Sequence, residues 1–205
     1  AKSANKFNEE ILPVEVKERK RTYILEEDEH PRPNVTMEGL SKLRPAFKEN
    51  GTVTAGNACG RNDGATSMVL MTEENANKRN IKPMAKIIDW STVGLDPKIM
   101  GMGPAPAVEK LLSKTNLNKE DIDLYEINEA FASQALAVIN ELGLKLDKVN
   151  VNGGAIALGH PLGATGARIV TTLLYELKRR NGRYGIASLC IGGGQGMAIL
   201  IENVA

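Results

Sequence analysis

Three segments in the second half of the chain carry the side chains best suited to chemistry. Residues 128–131 are Asn-Glu-Ala-Phe, residues 152–166 hold His160 among glycines, and residues 190–196 begin with Cys190 and continue into a glycine run. An apolar stretch precedes each segment. We therefore expect each segment to lie at the end of a strand, where loops expose reactive atoms.

His160 is one of only two histidines, and its neighbours include Gly159, Pro161 and Gly163. Glycines let the backbone pass close to a ligand. A histidine held in such a loop can donate a hydrogen bond to a developing oxyanion, or transfer a proton near neutral pH. The alternative is a loop histidine whose ring is satisfied by backbone groups. The residues alone are compatible with both.

Cys190 and Asn128 also have two interpretations each. A thiol becomes useful where its pKa is lowered, and the N–H groups of a glycine run can form a nest for an anion. A buried cysteine can equally be a small apolar residue in the core. Asn128 can cap the helix that follows or orient a water at a cavity edge, and Glu129 favours a helix start electrostatically.

The composition excludes several classes of protein. The chain has 205 residues, 42% of them hydrophobic, with 26 Lys and Arg against 25 Asp and Glu. A net charge of +1 lacks the basic excess of a nucleic-acid or membrane-surface protein. No apolar run approaches the ~20 residues of a membrane span. Metal-ligand spacing, a P-loop and a serine-nucleophile elbow are also missing from the sequence.

The N-terminal residues and the two cysteines indicate where in the cell we expect the protein. The chain has no signal-peptide layout and no initiator Met, which indicates a processed or incomplete chain. Cys59 and Cys190 are not arranged as a CxxC pair, so we expect no disulfide and a reducing, cytoplasmic location.

The elements that must position these segments alternate in type. Residues 1–50 are rich in mixed charge, with Val14 and Val16 alternating as in an exposed strand, and we expect a solvated excursion. The helix at 129–142 is so apolar that we expect burial on all sides, between two sheets. The alternation predicts a layered α/β domain. Its strands are predicted at 85–90, 122–127, 149–151, 184–191 and 197–201, the last two as a hairpin, and its helices at 73–79, around 108–112, at 129–142 and from about 164 to Gly182.

Taken together, the motifs resemble the thiolase family along the whole chain, and bacterial acetyl-CoA acetyltransferases most of all. The resemblance implies a layered α/β/α/β/α core, of which this chain supplies about half. It also implies three parts: the end of a CoA-covering loop domain (1–61), a return to the N-terminal domain (62–82) and the C-terminal domain (83–205). The matching motifs, in order, are E-H-P-R-P (29–33), G-T-V-T-A-G-N-A (51–58), M-G-M-G-P (100–104), N-E-A-F-A (128–132), G-G-A-I-A-L-G-H-P-L-G-A-T-G-A-R (153–168) and C-I-G-G-G-Q-G (190–196).

The resemblance implies specific roles for the reactive residues. Cys190 matches the base that takes an α-proton from acetyl-CoA, and it would return a proton to the leaving carbanion in the degradative direction. His160, with a water held by Asn128, matches the oxyanion hole that stabilises the enolate. The N–H of Gly192 matches half of a second oxyanion hole. Further positions match residues that contact CoA or the acyl group, namely Arg32, Leu43, Phe47, Ala55, Ala58, Met100 and Phe131, although the apolar ones are equally typical of core packing.

Two departures from the family pattern matter. The motif that carries the nucleophilic cysteine belongs to the N-terminal half and is absent from these residues. Cys59 stands where relatives usually carry Ser, beside the pantetheine arm of CoA, and we expect it to fill space there rather than replace the nucleophile. The resemblance thus implies half of an enzyme, inactive by itself.

The expected activity is that of an acetyl-CoA C-acetyltransferase, which condenses two acetyl-CoA molecules reversibly through a cysteine acyl-enzyme. The expected partners are acyl-CoA substrates, the N-terminal half and further copies in a homodimer or homotetramer, with no permanently bound cofactor, metal, nucleic acid or membrane. Three alternatives remain: a non-catalytic CoA-binding or complementing chain, a degradative thiolase of longer 3-ketoacyl-CoA substrates, and a hydrolase that uses Cys190 and His160.

Overall fold

A computed structural model describes residues 1–205. Its larger part is one four-stranded sheet with helices on both faces, and its N-terminal part is a small two-stranded hairpin followed by loops. The elements in chain order are β1 (Val14–Lys17), β2 (Thr22–Leu25), α1 (Met37–Ser41), α2 (Glu73–Lys78), β3 (Ala85–Gly94), α3 (Pro104–Thr115), β4 (Leu124–Ile127), α4 (Ala132–Leu142), α5 (Ala155–Leu158), α6 (Thr165–Arg180), β5 (Tyr184–Ile191) and β6 (Gln195–Asn203).

The sheet has the strand order β3-β6-β5-β4. Strand β6 pairs antiparallel with β3 and β5, and β4 pairs parallel with β5. The predicted hairpin of β5 and β6 is confirmed, and Gly192 to Gly194 form its turn. Gly193 and Gly194 have φ of 90° and 86°, a conformation that side chains disfavour, so the glycine run is needed to close the hairpin.

Apolar periodicity explains which helix covers which face. On one face, α3 buries Val108, Leu111 and Leu112 as predicted, and α4 packs beside it. Pro104 begins α3, where the missing N–H costs nothing. On the other face, α6 buries Leu173 and Leu177 against the sheet. The predicted α/β layering is confirmed as helix, sheet, helix.

Two expectations for the elements are wrong. Helix α4 begins at Ala132 rather than at residue 129, and Leu136 is 50% exposed, so the helix is buried on one side only. Its other side has no second sheet within these 205 residues. Residues 149–151 form no strand, because Asn150 has φ of 47° and its amide instead makes two 2.8 Å hydrogen bonds with the backbone of Ile127. Only Val149 keeps a bridge to the sheet.

The N-terminal region is solvated, as expected. Strands β1 and β2 form an exposed hairpin, and Phe7 is the one buried residue among the first fifty. The apolar run 67–71 forms no regular secondary structure and pairs with no strand, and Val69 and Leu70 are 83% and 73% exposed. No helix combines the length and the apolar composition that crossing a membrane requires.

Candidate active site

Asn128 and His160 meet at the end of the sheet. Asn128 directly follows β4, and its N–H donates to the carbonyl of Ser188 on β5, so the strand pairing holds it in place. Its side chain is buried, and its Nδ2 atom lies 3.4 Å from Nε2 of His160. The capping alternative for Asn128 is wrong, since α4 is capped three residues later at Phe131.

The His160 loop is fixed from both sides. The backbone N–H of His160 donates to Oδ1 of Asn62 at 3.1 Å and to the carbonyl of Gly60 at 3.2 Å. Gly159 has φ of 97° and lies against the Asn62 amide, so a side chain would be both strained and obstructed there. These contacts leave the ring free to face other side chains.

The His160 ring contacts side chains, not the backbone. Its Nδ1 atom is 2.7 Å from Oγ1 of Thr165, and its Nε2 atom faces Asn128. The alternative of a ring satisfied by backbone groups is therefore wrong. Burial, and then the positive charge of Arg168, lower the pKa of His160, so the neutral imidazole predominates near pH 7.

Residues 57–62 form a crossing segment that ties the motifs together. The carbonyl of Asn57 accepts from the N–H of Ala132, and the N–H of Cys59 donates to the carbonyl of Ala130. Three residues further on, Asn62 reaches the His160 loop. The segment thus joins the loop before α4 to the loop before α6, although it belongs to the N-terminal region of the chain.

Cys190 lies near the end of β5, opposite Gly196 of β6. It is buried, and burial followed by the neighbouring Cys59 raises the pKa of its thiol. Burial also raises the pKa of the Cys59 thiol. Both cysteines are free, as expected, and both are thiols rather than thiolates at neutral pH. Gly192, two residues after Cys190, faces open space.

Three further residues support the site: Asn62 and Thr165, which sequence reasoning missed, and Glu129, whose expected role at a helix start is wrong. Asn62 and Thr165 hold His160 as described. The Glu129 carboxylate accepts from the N–H of Ile156 and from Nδ2 of Asn150, each at 3.3 Å, so it links two loops instead of starting a helix. Of the two missed residues, only Thr165 offered a sequence signal, through its position at a helix start.

The residues expected to contact CoA fall into two groups. Phe47 packs edge-on against Phe131 with ring centroids 5.9 Å apart, and Ala58 forms a bridge with Phe131. Leu43 packs against Gly56, which follows Ala55. Phe47 and Ala58 thus contact Phe131 just before α4, and Leu43 lies beside the Ala55–Gly56 segment.

The remaining two belong to other segments. Met100 lies in the 3-10 turn before α3, next to a glycine that packs on Gln134. Arg32 is exposed, although the nearby His30 is anchored, since its Nε2 donates to the carbonyl of Ile156 at 3.2 Å.

His160 lines an open cavity of about 520 Å³. One wall is the end of the crossing segment with the residues that follow it, and the other is the loop from His160 to Ala164. No group of three or more His, Cys, Asp or Glu side chains is placed to hold a metal ion. The Asn128 amide and the neutral His160 imidazole are placed to hold an oxyanion together, and the Cys190 thiol on β5 is a group that can move a proton.

Comparison with known proteins gives concordant matches. The family model described as "Thiolase, C-terminal domain" matches residues 81–203, and "Thiolase, N-terminal domain" matches residues 1–74. The chain is 54% identical over 205 residues to a Bos taurus protein named "3-ketoacyl-CoA thiolase, mitochondrial". It is 53% identical over 204 residues to an "Acetyl-CoA acetyltransferase" of Shinella zoogloeoides. Each match covers 100% of this chain and 52% of the relative.

Solved structures agree. The Bacillus anthracis acetyl-CoA acetyltransferase superimposes with a TM-score of 0.98 at 53% identity, covering 100% of this chain and 52% of that one. Human mitochondrial 3-ketoacyl-CoA thiolase in complex with CoA gives a TM-score of 0.91 at 50% identity, covering 100% and 51%. The chain spans about half the length of the curated relatives it matches.

Proposed function

Because this chain belongs to the thiolase family and has the thiolase fold over about half of its relatives' length, we propose that it is the C-terminal half of an acetyl-CoA C-acetyltransferase. The observation that carries the proposal is the 3.4 Å approach of Asn128 to His160 beside β5, the strand that carries Cys190. The proposed reaction condenses two acetyl-CoA molecules to acetoacetyl-CoA and CoA, and runs in reverse as thiolysis.

When the nucleophilic cysteine is acylated, the departing CoA thiolate takes the thiol proton of Cys190 and leaves as free CoA. In the condensation, the resulting Cys190 thiolate takes a proton from the α-carbon of a second acetyl-CoA, and the electron pair of the broken C–H bond moves to the thioester oxygen. Nε2–H of His160, with a water held by Asn128, stabilises that enolate. The α-carbon then attacks an acyl-enzyme thioester, forming the C–C bond and releasing the thiolate of the nucleophilic cysteine. That cysteine belongs to the missing half, and the N–H of Gly192 stabilises the second oxyanion.

The CoA thioesters are substrates in this proposal, not permanently bound cofactors. Acyl-CoA runs along the path of Leu43, Phe47, Ala55, Ala58 and Cys59, with Arg32 near the nucleotide and Met100 and Phe131 at the acyl group. The division into residues 1–61, 62–82 and 83–205 and a cytoplasmic homodimer or homotetramer complete the proposal. The names of three relatives make a mitochondrial location the alternative.

A degradative 3-ketoacyl-CoA thiolase is the second candidate. Its support is specific: the identity to the bovine 3-ketoacyl-CoA thiolase, 54%, matches that to the bacterial acetyltransferase, 53%. The raised pKa of Cys190 also gives it a thiol ready to protonate a leaving carbanion. The ratio of kcat/KM for acetoacetyl-CoA to that for a six-carbon 3-ketoacyl-CoA separates the two candidates.

Complementation tests the proposal. The chain is co-expressed with the N-terminal half of the Shinella zoogloeoides relative, and thiolysis of acetoacetyl-CoA by CoA is followed. We expect turnover for the pair, none for the chain alone, and loss of turnover with Cys190→Ala but not with the exposed control Ser113→Ala.

Three other outcomes have defined meanings. Thiolysis by the chain alone means that the nucleophile has been wrongly assigned to the missing half. CoA binding by a folded pair without turnover supports a non-catalytic, complementing chain. Release of free acetate from acetyl-CoA by the chain alone, abolished by Cys190→Ala, supports the hydrolase.

A further inference from the structure

The Nδ1 atom of His160 has one partner, the hydroxyl of Thr165 at 2.7 Å. Thr165 is fully buried, at 0% exposure, and is the first residue of α6, so packing fixes its side chain. A neutral imidazole carries one hydrogen, on either Nδ1 or Nε2. The direction of the hydrogen bond at Nδ1 therefore decides whether Nε2 donates or accepts where it faces Asn128.

Two acceptors compete for the Thr165 hydroxyl hydrogen. Oγ1 lies 2.7 Å from Nδ1 of His160 and 2.9 Å from the carbonyl oxygen of Pro161. That carbonyl already accepts from the N–H groups of Ala164 and Thr165, at 2.7 and 2.8 Å, and a carbonyl oxygen has two lone pairs. The contact with Nδ1 is also the shorter of the two. A carbonyl that already accepts two hydrogen bonds is the poorer acceptor, which favours the ring as the acceptor of the hydroxyl hydrogen.

We propose that Thr165 is a positioning residue that donates to Nδ1 of His160 and so keeps the hydrogen of the neutral ring on Nε2, facing the enolate oxygen. The use made of that hydrogen rests on the proposed function, whereas the tautomer itself does not. Without Thr165 as donor, Nε2 could present a lone pair to the enolate and repel it.

Asn128 supplies a second observation. Its Oδ1 atom is buried and has no hydrogen-bond partner in the orientation shown. As shown, Nδ2 faces Nε2 of His160. A half-turn of the amide, which leaves its shape unchanged, lets Oδ1 accept from Nε2–H instead and places Nδ2 at the position without a partner. The lowered pKa of His160 keeps the ring neutral, so the tautomer matters at physiological pH.

Nitrogen-15 NMR of the histidine rings tests the tautomer in the 205-residue chain. Only two rings contribute, and His30 serves as the internal reference, because its Nε2 donates to a carbonyl and must carry hydrogen. The variant His30→Gln assigns the signals. We expect His160 to show hydrogen on Nε2 and a hydrogen-bonded lone pair on Nδ1. Hydrogen on Nδ1 would overturn the proposal.

Variants of Thr165 test the donor. Thr165→Val removes the hydroxyl with little change in volume, so the hydrogen is no longer held on Nε2. We expect both ring-nitrogen resonances to move toward the averaged values of a mixture of the two tautomers, and Thr165→Ser to restore the wild-type spectrum. An unchanged Nδ1 resonance in Thr165→Val contradicts the proposal. If Thr165→Val does not fold, the wild-type tautomer and the Thr165→Ser spectrum decide the matter alone.

Kinetics of the complemented pair separate this inference from the proposed function. We expect kcat of Thr165→Val to fall about 10- to 100-fold with KM nearly unchanged, as when a group that orients a histidine is lost, and Thr165→Ser to recover it. Expected spectra with unchanged kcat leave the tautomer standing and refute the role of His160 as enolate donor.

Discussion

The Nδ2 atom of Asn128 lies 3.4 Å from the Nε2 atom of His160, although 32 positions separate the two residues in sequence. The contact exists because strand pairing fixes Asn128 while the crossing segment fixes the His160 backbone. Two polar groups held independently by rigid elements need little rearrangement when a charge develops between them, which is how preorganised oxyanion sites gain their strength.

Removing either member of this pair should slow condensation sharply. In the complemented enzyme we expect Asn128→Ala and His160→Ala each to lower kcat about 100- to 1000-fold. Because both act on one oxygen, the double variant should lose much less than the product of the two losses. Initial rates of acetoacetyl-CoA formation measure this, with the exposed Asn140→Ala as control. Near-normal turnover in either single variant would refute the site assignment.

The two thiols should react slowly and in a fixed order. The thiolate is the reactive species, and burial raises the pKa of both Cys59 and Cys190. With a chromogenic disulfide reagent at pH 7.5, we expect both to react more slowly in the folded chain than in denaturant. Cys59, the less buried, should react first, and Cys59→Ser should leave one slow phase. A fast phase surviving in Cys59→Ser would contradict this order.

Stability should fall with rising pH because of Glu126. This buried carboxyl on β4 faces the α6 side, and burial raises its pKa from 4.5 to about 8 despite the opposing charge of Arg168. Between these values the folded chain keeps a proton that the unfolded chain has lost. The free energy of unfolding therefore decreases with pH across that window, by up to about 1.4 kcal/mol per unit.

Glu126→Gln should flatten that dependence, since glutamine mimics the protonated acid. Urea unfolding at pH 6, 7, 8 and 9 measures it, with the exposed Glu109→Gln as control. A residual slope from Glu10, whose pKa is raised to about 7 mainly by burial, should remain in both variants. An unchanged slope in Glu126→Gln would show that this carboxyl is ionised in the folded chain.

Two glycines should respond in opposite ways to alanine. A Cβ at Gly196 on β6 would collide with the backbone of Gly103 at the start of α3, so Gly196→Ala should destabilise the chain by about 1–3 kcal/mol. Gly166 lies in the first turn of α6 with open space around it, and Gly166→Ala should stabilise by about 0.5–1 kcal/mol. Urea midpoints measure both, and equal shifts would show that close packing does not explain Gly196.

The sequence predicts best where one element packs entirely within this chain. The apolar positions of α3 and α6, and the glycine turn between β5 and β6, were correctly placed, because local pattern and tertiary burial agree there. The prediction that helix α4 is buried on all sides is wrong, since its apolar composition suits two covered faces and only one is covered here. The strand predicted at residues 149–151 is absent because the Asn150 amide takes the place of strand pairing.

Local sequence pattern predicted the candidate site less well than the fold. Spacing alone left His160, Cys190 and Asn128 each with a structural alternative, and the joint family motifs selected among them. The support from Asn62 could not be predicted, since it joins residues 98 positions apart through the fold. Thr165 was not predicted for another reason. A hydroxyl at a helix start normally caps the helix, whereas the Thr165 hydroxyl contacts the His160 imidazole.

The crossing segment has a consequence for the order of folding. Its contacts with Ala130 and His160 close loops of 71 and 98 residues, whereas the β5–β6 hairpin closes a turn of three glycines. Contacts between residues so distant in sequence form slowly, because the chain loses conformational entropy before the contacts form. The hairpin and its helices should therefore assemble first, and the geometry around His160 should appear only when the N-terminal region docks, making that ring a reporter of the last folding step.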